Sequence, residues 1–183
     1  MKKLTEFKEI LGNSGYIVLV ETSSENALAS GLEIVKFLVD NSQKGIIISA
    51  SRPYSNIISL YKKSNIDTGK LFFIDLVSQG QSENLEKANN VVYIEHVSDL
   101  TSISISLVKA IETIKGQKFV FIDSITTMLI HNNEHALARF VHGILIKLRI
   151  DGVNGIMMLL ENKESNEIRA EIAQLCDKII KMQ

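Results

Sequence analysis

Short apolar runs alternate with amphipathic stretches along the whole chain. Tyr16-Ile-Val-Leu-Val20 is a near-continuous β-branched run following Gly12 and Gly15, which predicts a strand buried on both faces. From Glu25 to Asn41, Leu28, Leu32, Val35 and Val39 recur at helical spacing, and the polar run Asn41-Ser42-Gln43 ends the pattern. Gly45-Ile-Ile-Ile-Ser49 predicts the second strand. Pro53, the only proline, sits where a first helical turn tolerates it, and Ile57, Leu60 and Tyr61 supply an apolar face. Leu71-Phe-Phe-Ile-Asp75 predicts the third strand.

The second half continues the alternation. Residues 77–90 are rich in Ser, Gln, Asn and Glu and predict a mobile loop. Val91-Val-Tyr-Ile-Glu95 returns to strand character. Ser102 to Ser106 alternates like a strand, yet Leu100, Ile103, Leu107, Ile111 and Ile114 form a longer helical series. Ser98 is the expected N-cap of that helix, and Gly116 lies past its end. Lys118-Phe-Val-Phe-Ile-Asp123 is a buried strand closing on an acid. A helix is expected from about Glu134 to Arg149, a strand over Asn154 to Leu160, and a helix over Ser165 to Cys176 with Ile168, Ile172 and Leu175 inward. Lys178 to Met182 is a last short strand. Strands alternating with helices of this length imply βαβ units, hence an α/β fold of three layers with a mainly parallel central sheet. No internal repeat or interdomain linker interrupts it, so residues 1–183 read as one domain. Residues 1–12 form an amphipathic segment with Leu4, Phe7, Ile10 and Leu11 inward, packed on the sheet or on a second subunit.

Composition narrows the function classes. A chain of 183 residues, 45% hydrophobic, suits one domain that buries about 70% of its unfolded surface. Lys and Arg number 20 against 21 Asp and Glu, for a net charge of −1. No helix carries a basic stripe, which argues against nucleic-acid binding. The single cysteine, Cys176, excludes an internal disulfide framework and a cysteine-based zinc site, and points to the cytoplasm. The amino-terminal residues lack the apolar core of a signal peptide, and no apolar run approaches the roughly 20 residues that span a bilayer.

In open parallel sheets ligands bind beyond the carboxyl ends of the strands. After the first strand comes Glu21-Thr-Ser-Ser-Glu-Asn-Ala-Leu-Ala-Ser30. A phosphate-binding loop there reads GxxxxGK[ST], because glycines let backbone amides wrap the phosphates while the lysine neutralises them. This segment has neither glycine nor lysine, and Glu21 and Glu25 would repel a triphosphate. The groups left to hold an anion are Thr22, Ser23, Ser24 and the amides at the start of the following helix. Asp123 closes its strand in the manner of a Walker B carboxylate, which holds Mg²⁺ in P-loop proteins. An aspartate in that position also serves commonly as a turn or helix cap.

The strand order and the phrase Phe119-Val-Phe-Ile-Asp-Ser-Ile-Thr-Thr-Met128 resemble the RecA superfamily, specifically its KaiC-like branch widespread in archaea. Ala88-Asn-Asn-Val-Val-Tyr-Ile-Glu-His-Val-Ser-Asp-Leu-Thr101 and Leu175-Cys-Asp-Lys-Ile-Ile180 resemble a small archaeal subgroup of such domains. The resemblance runs from about Gly15 to Met182 and implies a three-layer RecA-like fold. Carried over by residue, Asp123 matches the Walker B aspartate, whereas Thr22 to Ala27 occupies the phosphate-loop position and matches none of its functional residues. The family's ATPases carry catalytic acids just after the second strand; this chain has Ser49-Ala-Ser-Arg52 there, with no carboxylate. The sequence also stops at Gln183, before a hairpin that in longer relatives helps contact a neighbour's nucleotide. The resemblance thus implies a degenerate, non-hydrolysing KaiC-like domain.

Other constellations compete. His131-Asn-Asn-Glu-His135 formally matches the zinc-peptidase pattern HxxEH, but Asn132-Asn133 reads as a helix N-cap that leaves His131 outside the helix. Arg139 and His142 share the helix of His135 and read as a polar face or an interface. His96, at a strand end, would line the ligand edge of the sheet. Cys176 reads as a structural thiol, since no basic residue is placed to lower its pKa. Arg52 follows the second strand, where it would meet an anion or, more simply, a surface carboxylate. Met128, Met157 and Met158 are core fillers.

The expected function is therefore a regulatory or scaffolding protein without bound cofactor. It would act in signal transduction or regulation through homo-oligomers, or through hetero-oligomers with an active KaiC-like ATPase. The rival is an atypical nucleotide-binding protein in which Thr22, Ser23 and Ser24 hold ATP and Asp123 places Mg²⁺.

Overall fold

The structure, a computed structural model, describes residues 4–81, 85–161 and 166–182. Seven strands form one sheet: β1 (Ile17–Thr22), β2 (Lys44–Ser49), β3 (Leu71–Asp75), β4 (Val91–Tyr93), β5 (Lys118–Asp123), β6 (Asn154–Leu160) and β7 (Lys178–Met182). Their spatial order is β4-β3-β2-β5-β6-β1-β7, and every pairing is parallel. The helices are α1 (Lys8–Gly12), α2 (Ala27–Asp40), α3 (Tyr54–Lys63), α4 (Leu100–Thr113), α5 (Ile125–Ile130), α6 (Glu134–Ile150) and α7 (Asn166–Ala173).

The central strands are apolar throughout because both of their faces are covered. On one face Val18, Val20, Ile47, Phe121 and Met158 pack with α2 and α3. On the other, Leu19, Ile48, Ile122 and Met157 pack with α4, α5, α6 and α7. The result is the expected three-layer α/β architecture. Gly45 in β2 is required by close packing, since a Cβ there would lie 2.6 Å from the Leu71 and Phe119 side chains.

Of the amino-terminal segment, residues 6–12 pack on this chain's own sheet, while residues 1–3 lie outside the described residues. Phe7 and Ile10 are fully buried beside α2, and Asn154 pins the segment by donating from Nδ2 to the Ile10 carbonyl at 2.8 Å. Three expectations are corrected. The N-cap of α4 is Asp99, whose carboxylate accepts from Ser102 N at 2.9 Å, rather than Ser98. The strand from Val91 stops at Tyr93, because β3 ends at Asp75 and offers nothing further to pair with. Ile125–Ile130, not expected as an element, forms α5 behind its N-cap Ser124. Of the expected loop over 77–90, residues 82–84 lie outside the described residues. Among the described residues no helix is long and apolar enough to cross a membrane.

Candidate functional site at the carboxyl edge of the sheet

The connection from β1 to α2 is short. β1 ends at Thr22 and α2 begins at Ala27, leaving the four residues Ser23–Asn26. They close as a tight turn in which Asn26 N donates to the Ser23 carbonyl at 3.1 Å and lies 3.3 Å from Ser23 Oγ. Thr22 is fully buried, with Oγ1 3.4 Å from Ser30 Oγ on α2. Ser24 and Glu25 are exposed at the turn. The hydroxyls of Thr22 and Ser23 are thus engaged locally.

Asp123 stands elsewhere along the edge. β6 runs between β1 and β5, which separates the ends of those strands by about 10 Å. The immediate neighbour of Asp123 is the end of β2, where Ser49 is its register partner. The segment Ser49-Ala-Ser-Arg52 folds across it: Ala50 N donates to the Asp123 carbonyl at 2.8 Å, and Ser51 Oγ donates to Oδ2 at 3.0 Å. Ser49 Oγ donates to the Arg52 carbonyl at 2.6 Å and fixes the bend. Burial raises the Asp123 pKa above the ordinary carboxylate value, opposed by the Ser51 hydroxyl and the positive Arg52 nearby. Tyr61 of α3 is buried, and burial together with the Asp123 charge pushes its hydroxyl pKa upward. Between Asp123 and the start of α2 lies a cavity of about 10 Å³, lined by Leu28, Gly31, Leu32, Arg52 and Tyr61, which is space for about one water. Arg52, half-buried, lines this space beside Asp123.

The structure adds one acidic residue to the picture, Asp75, and relocates another, Glu21. Asp75, fully buried at the end of β3, accepts at Oδ1 from Val77 N at 2.7 Å and Ser78 N at 2.9 Å. Its Oδ2 accepts from Tyr54 N at 2.7 Å and from the Ser78 hydroxyl. It ties the segments after β2 and β3 together. Glu21 lies within β1, not in the loop, and its side chain is buried on the face opposite α2. There Arg169 Nε donates to Oε1, and Lys181 Nζ lies 3.7 Å from Oε2. The expectation that Glu21 faces the phosphate position is therefore corrected; Glu25 alone stands at that turn.

The remaining candidates separate. His131 caps the end of α5, while Asn133 caps the start of α6 by accepting from Ala136 N at 3.3 Å. The two histidines of HxxEH thus fall on opposite sides of a cap. Among the described residues no cluster of three metal-ligating side chains exists. His96 and His131 line a cavity of about 400 Å³ beyond β2, β3 and β4, which places His96 at the carboxyl edge. Cys176 donates to the Ile172 carbonyl at 3.2 Å, and burial pushes its pKa up to about 12. The thiolate is suppressed, as suits a structural thiol.

A seven-stranded parallel sheet in this order, layered by helices on both faces, defines a RecA-like α/β domain. The family described as "ATPase: KaiC" matches residues 34–183, and the chain belongs to that family. The match begins within α2, past β1 and the turn that follows it. Among solved structures the fold is similar to the uncharacterized protein PH0321 of Pyrococcus horikoshii, crystallised in complex with an unknown peptide. The TM-score is 0.73 at 13% identity, over 98% of this chain and 82% of that one. It is also similar to the KaiC-like protein PH0186 of Pyrococcus horikoshii (TM-score 0.65, 11% identity, 93% and 73% covered). The flagellar accessory protein FlaH of Methanocaldococcus jannaschii matches with a TM-score of 0.67 at 13% identity, over 99% and 77% of the two chains. A sequence comparison with curated proteins finds no match.

Proposed function

We propose that this KaiC-family domain does not hydrolyse nucleotide and acts as a regulatory or scaffolding protein, through association with copies of itself or with an active KaiC-like ATPase. The observation that carries the reading is the β1–α2 connection. A triphosphate needs a run of free amides and a lysine at that point. Here a four-residue turn closes on itself, with no glycine, no lysine, and the exposed carboxylate of Glu25 beside it. Among the described residues the space enclosed between α2 and Asp123 is about 10 Å³, so no preformed chamber for a nucleotide lies there. In this reading the Walker A loop is degenerate and the edge does not hold a magnesium nucleotide. After β2, Ser51 and Arg52 stand in place of a catalytic acid and contribute to fixing Asp123.

Family membership and the position of Asp123 favour a second reading, nucleotide binding through Thr22, Ser23, Ser24 and Asp123. Calorimetric titration of ATP and ADP, with and without Mg²⁺, separates the two. The proposal expects no binding at millimolar nucleotide, for the wild type and for Asp123→Asn alike. Micromolar binding that weakens in Asp123→Asn would overturn it.

A further inference from the structure

The outward face of α6 is built unlike a solvated helix surface. Arg139, Gly143, Ile146 and Ile150 recur at i, i+4, i+7 and i+11, so they form one ridge along the helix. Ile146 is 46% exposed and Ile150 75%. Gly143, in the interior of a 17-residue helix, has no atom within 4 Å of where its Cβ would be. Glycine weakens a helix interior, and nothing among the described residues requires it here. Open space over a backbone flanked by exposed isoleucines is what close approach of a second surface uses.

The neighbouring helix supplies the opposite charge. α6 and α7 pack side by side and run in the same direction, since each returns from the carboxyl edge to the amino edge of the parallel sheet. Between them runs a groove of about 460 Å³ with Ile172 and Leu175 among its apolar lining, His135, Arg139 and His142 on the α6 side and Glu171 on the α7 side.

Resting on the reading that this chain works by association, we propose that the α6–α7 face binds a second copy of the chain, with Arg139 of each copy set against Glu171 of the other. A two-fold axis along the groove places α6 of one copy over α7 of its partner with both helices running the same way. Residues at one height on the two helices then face each other across the axis, and Arg139 and Glu171, which line the same groove, exchange. A partner of single-sign charge would match only half of this surface; a second copy matches both halves. The same docking covers the ridge of Gly143, Ile146 and Ile150.

Sedimentation velocity on the full chain tests the interface. The wild type is expected to form a dimer at tens of micromolar. Arg139→Glu and Glu171→Arg should each raise the dimer Kd by about tenfold or more, and the double reversal should restore it. Ile146→Glu combined with Ile150→Glu should give a monomer of unchanged circular dichroism. A wild type that stays monomeric at about 0.5 mM overturns the proposal, as does a dimer indifferent to all of these changes or a double reversal that restores nothing. Nucleotide titration of the same sample keeps the two readings apart. A monomer that binds no nucleotide removes this surface alone, whereas nucleotide binding removes the functional reading beneath it.

Discussion

Asp75 and Asp123 end the two strands that flank β2, and Ser49 is the register partner of both. The same tripeptide, Phe-Ile-Asp, closes each strand at residues 73–75 and 121–123. Their surroundings are opposite. Asp75 is fully buried and accepts three backbone amides and a hydroxyl, whereas among the described residues Asp123 receives a single side-chain hydrogen bond, from Ser51. One carboxylate holds the sheet edge together, and the other stands half-buried at its side.

Asp75→Ala should therefore be the more damaging of the two alanine substitutions. It strands the amides of Tyr54, Val77 and Ser78 in a dry site, and unsatisfied buried donors cost about 1–3 kcal/mol each before relaxation. A loss of roughly 3 kcal/mol or more is expected in urea unfolding, against less than about 1 kcal/mol for Asp123→Ala. Equal losses would refute the assignment of Asp75 as the structural member.

The raised pKa of Asp123 gives a stability effect with a definite sign. Because its folded pKa lies above the unfolded value near 3.8, the folded state takes up this proton first as pH falls. Between those two pKa values the folded chain binds more protons than the unfolded chain, so this group's contribution to stability decreases as pH rises through the window. Above the window the desolvated charge is a standing penalty. Asp123→Asn should thus be at least as stable as the wild type at pH 7, with the advantage shrinking toward pH 4. Urea midpoints of both proteins across that range test it; an advantage that grew on acidification would contradict the assignment.

The strands were legible because a parallel sheet covered on both faces writes itself as apolar runs such as Gly45-Ile-Ile-Ile-Ser49. The absence of glycine and lysine after β1 was equally plain in the sequence. Other features depended on partners far along the chain. Glu21 read as a loop acid facing the ligand edge because its neutralising Arg169 lies 148 positions away. Asp75 and Asp123 were indistinguishable within Phe-Ile-Asp; the difference comes from Val77 and Ser78 turning back onto Asp75 and from Tyr54 N reaching it across the edge. Helix α5, six residues long, was too short for any period to appear, and its Ser124 N-cap was its one local signal.

The Glu21–Arg169 pair leads to an asymmetry between single and double substitution. Arg169→Met leaves a buried carboxylate with, among the described residues, only Lys181 at 3.7 Å, and should destabilise by roughly 1–3 kcal/mol, tempered because the Arg169 side chain is 38% exposed. Glu21→Leu combined with Arg169→Met removes the buried charge along with its partner and should lie within about 1 kcal/mol of the wild type. Thermal unfolding of the four proteins in this cycle decides it. Additive losses would mean that the two side chains act independently.

Gly143 sets the stability of the separate chain against its assembly. Its Cβ position is open and lies mid-helix, so Gly143→Ala should stabilise the isolated fold by about 0.5–1 kcal/mol through helix propensity alone. The measurement belongs at a concentration low enough for the chain to be monomeric, where a higher melting temperature is expected. At high concentration a larger residue at the same place, as in Gly143→Leu, should weaken self-association because it stands where the second copy approaches the α6 backbone. A substitution that raises the melting temperature of the dilute protein and lowers the dimer fraction of the concentrated protein separates a binding role for this glycine from a structural one. If both quantities rose together, the ridge would be an ordinary solvent face.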